Sequence, residues 1–333
     1  VSGAAHLPIV DIAPFLGAPA GARELTGEAR RAVATLDAAC REIGFFGLTG
    51  HGIDPALFDR LEAAARAFIA LPDAVKSEIA MAKAGRAWRG WFPLYGEMTS
   101  GRPDGKEGIY FGIDHPPDHP HVLDGSLLHG SNLYPTEPAD LGPAVTDWLG
   151  ALRPVADAVM SAMAVGLGLE PSWFADHLTG DPTILFRIFH YPPAATTDTE
   201  WGVAEHTDYG LLTLLAQDAH GGLEVRRRDG TWMPVDPRPG VLVCNLGDML
   251  ERLTRGRYRS TPHRVRNTSN AHRFSFPYFF DPSWEATVPT LPLPDVDGDV
   301  APTRWDDADP TAWEGTYGDY LSAKVARVFT DLA

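Results

Sequence analysis

The chain has 333 residues, 44% of them apolar, which is enough for one large domain or two ordinary ones and excludes bulk disorder. Its 28 basic and 44 acidic residues leave a net charge of −16, which repels phosphate backbones and anionic lipid. Nucleic acid and membrane surfaces are therefore excluded as expected partners and a small molecule is expected, although a local basic pocket inside an acidic shell still admits an anionic substrate. Along the chain, residues 8–12 read as a short strand, residues 22–42 as a helix ending before Gly44, and residues 44–50 as a strand bounded by glycines. Asp54 is placed to cap a second helix, with Leu57, Leu61, Ala64, Ala65 and Phe68 on one face and Pro72 beyond its end. A Gly- and Pro-rich stretch at 85–135 carries Trp88, Trp91, Tyr95, Tyr110 and Phe111 and cannot be one regular element. Residues 143–168 read as a long helix, with apolar side chains every three or four positions. From Asp181 short apolar or alternating runs recur, at 183–191, 210–216, 222–226, 241–246, 260–265 and 273–280. They predict antiparallel strands in a sandwich or barrel, flanked by the helices of the first half.

Two cysteines, Cys40 and Cys244, make no disulfide framework, and Cys244 reads as a small buried hydrophobe in an apolar run. The first residues show no basic segment followed by an apolar one. The longest apolar stretch, 155–169, contains Asp157 and is too short to cross a bilayer. The expectation is a cytoplasmic protein, with a monomer as the default.

The chemistry is carried by a spaced set of residues. His206 and Asp208 are two positions apart, so in extended chain both side chains point the same way. His263 follows 55 positions later, a separation that suits a return from a distant strand of the same barrel. Two imidazoles and one carboxylate on a single face of a metal, with three positions open, are the ligand set of non-haem iron(II) oxygenases. Arg273 and Ser275, again two apart, make a receptor for a carboxylate, because the guanidinium offers planar, charge-assisted donors. Each part alone is weak: a lone His-x-Asp is usually polar surface, and Arg273 alone could pair with a structural carboxylate. Order and spacing together make the pattern specific.

The text around these residues resembles the isopenicillin N synthase-like branch of the 2-oxoglutarate- and iron(II)-dependent dioxygenases. The matching stretches are His206-Thr207-Asp208-Tyr209-Gly210-Leu211-Leu212-Thr213-Leu214-Leu215, Gly221-Gly222-Leu223-Glu224-Val225, Asn245-Leu246-Gly247-Asp248 and Ser260-Thr261-Pro262-His263-Arg264-Val265. Leu7-Pro8-Ile9-Val10-Asp11 and Gly50-His51-Gly52-Ile53 add to them near the start. The resemblance implies a mainly β fold, a double-stranded β-helix or jelly roll with helices packed outside. It divides the chain into an N-terminal dioxygenase region (1–125), a connecting helical region (126–180), the iron and 2-oxoglutarate β core (181–285) and a C-terminal extension (286–333), all in one compact unit. It implies Fe(II) on His206, Asp208 and His263, and the distal carboxylate of the cosubstrate 2-oxoglutarate on Arg273 and Ser275, assisted by Tyr191. It also implies O2 as oxidant, with oxidative decarboxylation of 2-oxoglutarate coupled to hydroxylation, desaturation or cyclisation at a substrate C–H bond. Where many relatives have Asn two positions before that Tyr, this chain has Phe189, which predicts a less polar pocket on that side.

Tyr95, Tyr110, Phe111 and Phe280 are the candidate substrate residues, weighed evenly against core packing. His115, His119 and His121 read as a solvated loop, His51 as structural, and His272 as facing away from Arg273. The competing functions are a same-fold iron oxidase without 2-oxoglutarate, an ethylene-forming enzyme, and a small-molecule sensor on an inert jelly roll. An intact ligand set with an anion clamp argues against the sensor.

Overall fold

The computed structural model describes residues 6–17, 25–196, 201–289, 291–293 and 315–328. Its strands are β1 (Ile9–Asp11), β2 (Phe45–Thr49), β3 (Gly90–Phe92), β4 (Met98–Thr99), β5 (Arg102–Pro103), β6 (Glu107–Gly112), β7 (Pro182–Tyr191), β8 (Val203–His206), β9 (Leu212–Gln217), β10 (Leu223–Arg226), β11 (Trp232–Val235), β12 (Leu242–Leu246), β13 (His263–Val265) and β14 (Arg273–Ser283). The helices are α1 (Gly27–Glu42), α2 (Pro55–Ile69), α3 (Asp73–Lys76), α4 (Pro120–Leu123), α5 (Leu141–Gly166), α6 (Trp173–His177), α7 (Asp248–Leu253) and α8 (Tyr317–Val328).

Local chemistry sets the helix ends. Thr26 caps α1 by accepting from Ala29 N–H, and Asp54 caps α2 by accepting from Ala56 N–H, with Pro55 as its first residue. Gly44 follows α1 with φ +65°, and a Cβ there would lie 2.1 Å from the Arg259 carbonyl, so only glycine lets the chain turn into β2. The first residues of the expected helix at 22–42 lie partly outside the described residues.

Two sheets make the jelly roll. The larger runs β1-β2-β12-β9-β14-β7-β6-β3 and the smaller β11-β10-β13-β8. The six strand runs expected in the second half all form, as β7, β9, β10, β12, β13 and β14. β13 is shorter than its run because Pro262 has no N–H to give the ladder. Other strands, β11 and β6 among them, were not legible. β11 contains Pro234, tolerated because β11 is the edge of its sheet, and β6 lies inside the larger sheet with every residue buried, so it has no alternation to show. Its charge is compensated in place: Glu107 accepts from Lys76 Nζ at 2.7 Å and Trp91 Nε1 at 3.0 Å and pairs with His190 Nδ1 at 2.9 Å. The stretch at 85–135 therefore supplies strands β3 and β6 to the larger sheet.

A small apolar set including Phe45, Val203, Leu215, Leu223, Val243 and Val265 fills part of the space between the sheets. On the outer face, α1, α2 and α5 pack into the main core, with Leu36, Leu61, Phe68, Trp148, Leu152 and Val159 among its buried members. By length and composition α5 could cross a bilayer, but it is packed against α1 and α2 as a core helix. β14 divides the two environments by strand parity. Phe274, Phe276, Tyr278 and Phe280 join the helix-side core, while Arg273, Ser275, Pro277, Phe279 and Asp281 face a cavity between the sheets.

Candidate active site

The cavity has a volume of about 390 Å³, within the range of about 300–1,000 Å³ usual for small-molecule sites. His206 ends β8, and His263 begins β13 directly opposite it in the antiparallel pair. The second histidine thus comes from the adjacent strand, and the two ring centroids are 4.2 Å apart. Asp208 lies beyond the end of β8, so a loop rather than extended strand presents it. That loop is held by Asp248 N–H, at the start of α7, donating to the Asp208 carbonyl at 2.8 Å. Asp208 Oδ1 lies 4.0 Å from His206 Nε2 and 3.8 Å from His263 Nε2, and one ligand atom from each residue lies within 4.8 Å of the others.

The remaining atoms of the three side chains are already engaged. His206 Nδ1 contacts the Ala204 carbonyl at 2.8 Å and His263 Nδ1 the Thr261 carbonyl at 3.1 Å. A carbonyl only accepts, so each Nδ1 carries the proton and each Nε2 lone pair faces the site. Asp208 Oδ2 accepts from Thr213 Oγ1 and Asn245 Nδ2, both at 2.6 Å, which leaves Oδ1 for a metal. Thr213 and Asn245 are register partners across β9 and β12, which is why both reach one oxygen. Burial, and then the neighbouring His263, bring the His206 imidazole down to about 4, so it is neutral at pH 7. Burial pushes the Asp208 carboxyl up, but the two imidazoles and the bonds from Thr213 and Asn245 outweigh it and hold it below its ordinary value. Two imidazoles with their Nε2 atoms turned to the site, beside an ionised carboxylate, fit a divalent iron.

Arg273 stands opposite Tyr191 across β14 and β7, with its guanidinium 4.7 Å from the centre of the tyrosine ring. Ser275 Oγ lies 3.4 Å from Tyr191 Oη, and Phe189 is its register partner on β7. Phe189 lines the cavity, so an aromatic ring occupies the side where many relatives carry an amide. Arg273 is 0% exposed; its Nη2 meets Gln217 Oε1 at 3.3 Å, while Nε and Nη1 are buried without a partner among the described residues. Leaving charged donors idle in a buried site costs free energy that an anion offsets, so these residues fit a ligand carboxylate.

Elsewhere the cavity wall is polar but self-contained. Lys106 is enclosed by Glu97, at 2.9 Å from Oε2, and by Asp104; Tyr110 donates to Glu97, and Thr99 Oγ1 donates to Asp104 at 2.9 Å. The Arg187 guanidinium lies 3.4 Å from the centre of the Tyr110 ring. Burial lowers the Lys106 ammonium, but Glu97 and Asp104 overcome it and hold it above its ordinary value.

Of the four expected substrate residues, Tyr110 lines the cavity. The structure corrects the others. Phe111 points to the opposite face of β6 and stacks on Tyr134 and Phe186 in the core. Phe280 is on the core face of β14, with Arg153 5.5 Å from its ring centre, and Phe279 takes the cavity side. Tyr95 sits at φ 65° in the loop before β4 and is not among the residues that line the cavity. His51 has a structural role, accepting from Ile53 N–H and meeting the Gly240 carbonyl, and His272 pairs with His190 at 2.7 Å. Sequence reasoning missed α8, whose Leu321, Lys324 and Val325 line the cavity, and the Glu97, Asp104 and Lys106 group. It also gave no role to Asn245, although Asn245 lies within a matched motif.

Comparison with known proteins converges on one family. The model for the 2OG-Fe(II) oxygenase superfamily matches residues 182–282, and that for the N-terminal region of the non-haem dioxygenase in morphine synthesis matches residues 7–137. The chain is 38% identical to a probable iron/ascorbate oxidoreductase of Dictyostelium discoideum over 98% of its own length and 96% of the relative's. It is 36% identical to the 2-oxoglutarate-dependent dioxygenase citB of Monascus ruber over 91% of each. The crystal structure of a full-length Neurospora crassa protein in complex with alpha-KG and 5-formyluracil aligns at TM-score 0.76 with 25% identity, covering 98% of both chains.

Proposed function

Because the chain belongs to the 2OG-Fe(II) oxygenase superfamily, we propose that His206, Asp208 and His263 hold its iron, and that Arg273, Ser275 and Tyr191 hold the distal carboxylate of 2-oxoglutarate. The enzyme is an iron(II)/2-oxoglutarate-dependent dioxygenase that couples decarboxylation of its cosubstrate to oxidation of a small-molecule C–H bond. Bound iron and 2-oxoglutarate supply the activation of O2. The protein's contribution is placement. Ala204 and Thr261 fix the two imidazole tautomers, and Thr213 and Asn245 hold Asp208 ionised with one oxygen turned to the site. Tyr110, Phe279, Trp88 and Leu128 line the cavity and would place the substrate while keeping water out. We also propose a cytoplasmic monomer acting on a small molecule rather than on nucleic acid or a membrane, a reading that the charge of −16 supports.

The observation that carries the cosubstrate assignment is the buried Arg273 with two idle donors. Protein loaded with Fe(II) should release succinate and carbon dioxide from 2-oxoglutarate under O2, faster when a substrate is present. His206→Ala or His263→Ala should abolish iron retention and turnover while circular dichroism stays unchanged. Oxygen consumption without succinate would move the assignment to a same-fold oxidase, and normal iron retention in both variants would remove the ligand assignment.

A further inference from the structure

Between β6 and Asn132 the chain gathers four histidines outside the cavity. His115 and His119 precede α4, His121 is in it, and His129 returns beside them. Ring centroids lie 4.5 Å apart for His115 and His119, 4.8 Å for His115 and His129, and 4.5 Å for His121 and His129. They are 5.5 Å apart for His119 and His121 and 6.1 Å for His119 and His129. Imidazole nitrogens bound tetrahedrally at about 2.0–2.1 Å from a metal place their ring centroids roughly 5 Å apart, and each of the four rings stands near that spacing from two of the others.

The donor chemistry agrees. His129 Nδ1 meets the Leu127 carbonyl two residues back at 2.8 Å. This is the arrangement that turns the Nε2 lone pairs of His206 and His263 outward at the iron site. His115 Nδ1 is buried and has no partner among the described residues. We infer that His115, His119, His121 and His129 form a second metal site, taking a borderline divalent cation that prefers imidazole, such as Zn²⁺, Ni²⁺ or Cu²⁺.

Closing the site takes ring rotations, because the nitrogens do not yet converge on one point. The contacts given up are long: His121 Nδ1 to Ser126 Oγ at 3.3 Å, and His121 N–H to His119 Nδ1 at 3.3 Å. The carboxylates of Asp124 and Glu285, each 3.8 Å from a His121 nitrogen, favour a cation there. The bound ion would brace the active-site wall. His129 follows Leu128, a cavity residue held at φ 65°, and its ring centroid lies 4.8 Å from that of Trp284.

The test uses full-length, tag-free protein carrying His206→Ala and His263→Ala, so that the iron site is disabled. After equilibration with micromolar Zn²⁺ and dialysis, elemental analysis should find one zinc per chain, and zinc should raise the melting temperature. Adding His115→Ala and His129→Ala should remove both the zinc and the shift. With Cu²⁺ as probe, electron paramagnetic resonance of the iron-site variant should show splitting from several imidazole nitrogens, lost in the combined variant. All four histidines are partly exposed, and circular dichroism checks that the variants fold. An iron-site variant that retains no zinc, or retains it equally after His115 and His129 are changed, overturns the second site.

Discussion

Arg273 and Lys106 are both enclosed cations lining one cavity, and the fold treats them differently. Lys106 is met by two carboxylates from its own chain, Glu97 and Asp104, and by the ring of Phe189 at 5.0 Å. Arg273 is given a tyrosine ring and one long contact to Gln217, while two of its nitrogens have no hydrogen-bond partner among the described residues. A buried charge that the protein compensates holds a wall together. A buried charge left uncompensated marks where a ligand of opposite sign belongs.

The largest expected effect falls on Arg273. Losing one member of a buried ion pair costs roughly 3–5 kcal/mol, so Arg273→Leu should raise the apparent KM for 2-oxoglutarate by about two or more orders of magnitude. Arg273→Lys should fall between wild type and Leu, because it keeps the charge and loses the planar fork, and Ser275→Ala should cost on the order of tenfold. Iron content should be unchanged in all three. Wild-type 2-oxoglutarate dependence in Arg273→Leu would break the contrast at its stronger end.

Lys106→Met tests the other end. It leaves Glu97 and Asp104 buried without their cation, so the expected loss is stability, roughly 3–5 kcal/mol by chemical denaturation. The folded fraction should keep a near-normal KM for 2-oxoglutarate. A KM increase matching that of Arg273→Leu would show that Lys106 also holds the cosubstrate.

How far this site could be read from sequence depended on whether strand parity or tertiary folding decides a position. Arg273 and Ser275 could be paired because residues two apart on a strand share a face. The same rule, carried along β14, puts Phe279 and not Phe280 in the cavity, and applied to β6 it forbids Tyr110 and Phe111 from facing the same way. Those two misplacements were avoidable. Lys106 and its carboxylates were not legible, because β6 is buried along its whole length and its charged neighbours come from separate turns. Nor was α8, which follows a long stretch outside the described residues and returns to the cavity by tertiary packing. The parity argument has its own test. Phe280→Ala should cost roughly 3–5 kcal/mol of stability without changing how tightly 2-oxoglutarate decay is coupled to substrate oxidation. Phe279→Ala should loosen that coupling at a smaller cost in stability, and the reverse pattern would reverse the two faces.

The last test concerns a third cavity group on β14, intermediate between the two cations. Asp281 is buried and accepts from Tyr317 Oη at 2.6 Å and Leu211 N–H at 3.1 Å; a Cβ on Gly210 would collide with it. Burial raises its carboxyl to about 7, and the two donors only partly oppose the rise. In the unfolded chain the same group titrates near 3.8. The native state therefore binds the extra proton between those values. Its contribution to stability is full below about pH 4 and is lost as pH rises through about 7. Asp281→Asn mimics the protonated form at every pH. Relative to wild type, with both proteins in the same metal-loaded state, the variant should gain stability progressively from about pH 4 to about pH 7 and hold a constant advantage above that. Urea denaturation at stepped pH measures the difference. A difference that stays flat across the range would mean that Tyr317 and Leu211 hold Asp281 ionised, and would class it with Lys106 as a fully compensated charge.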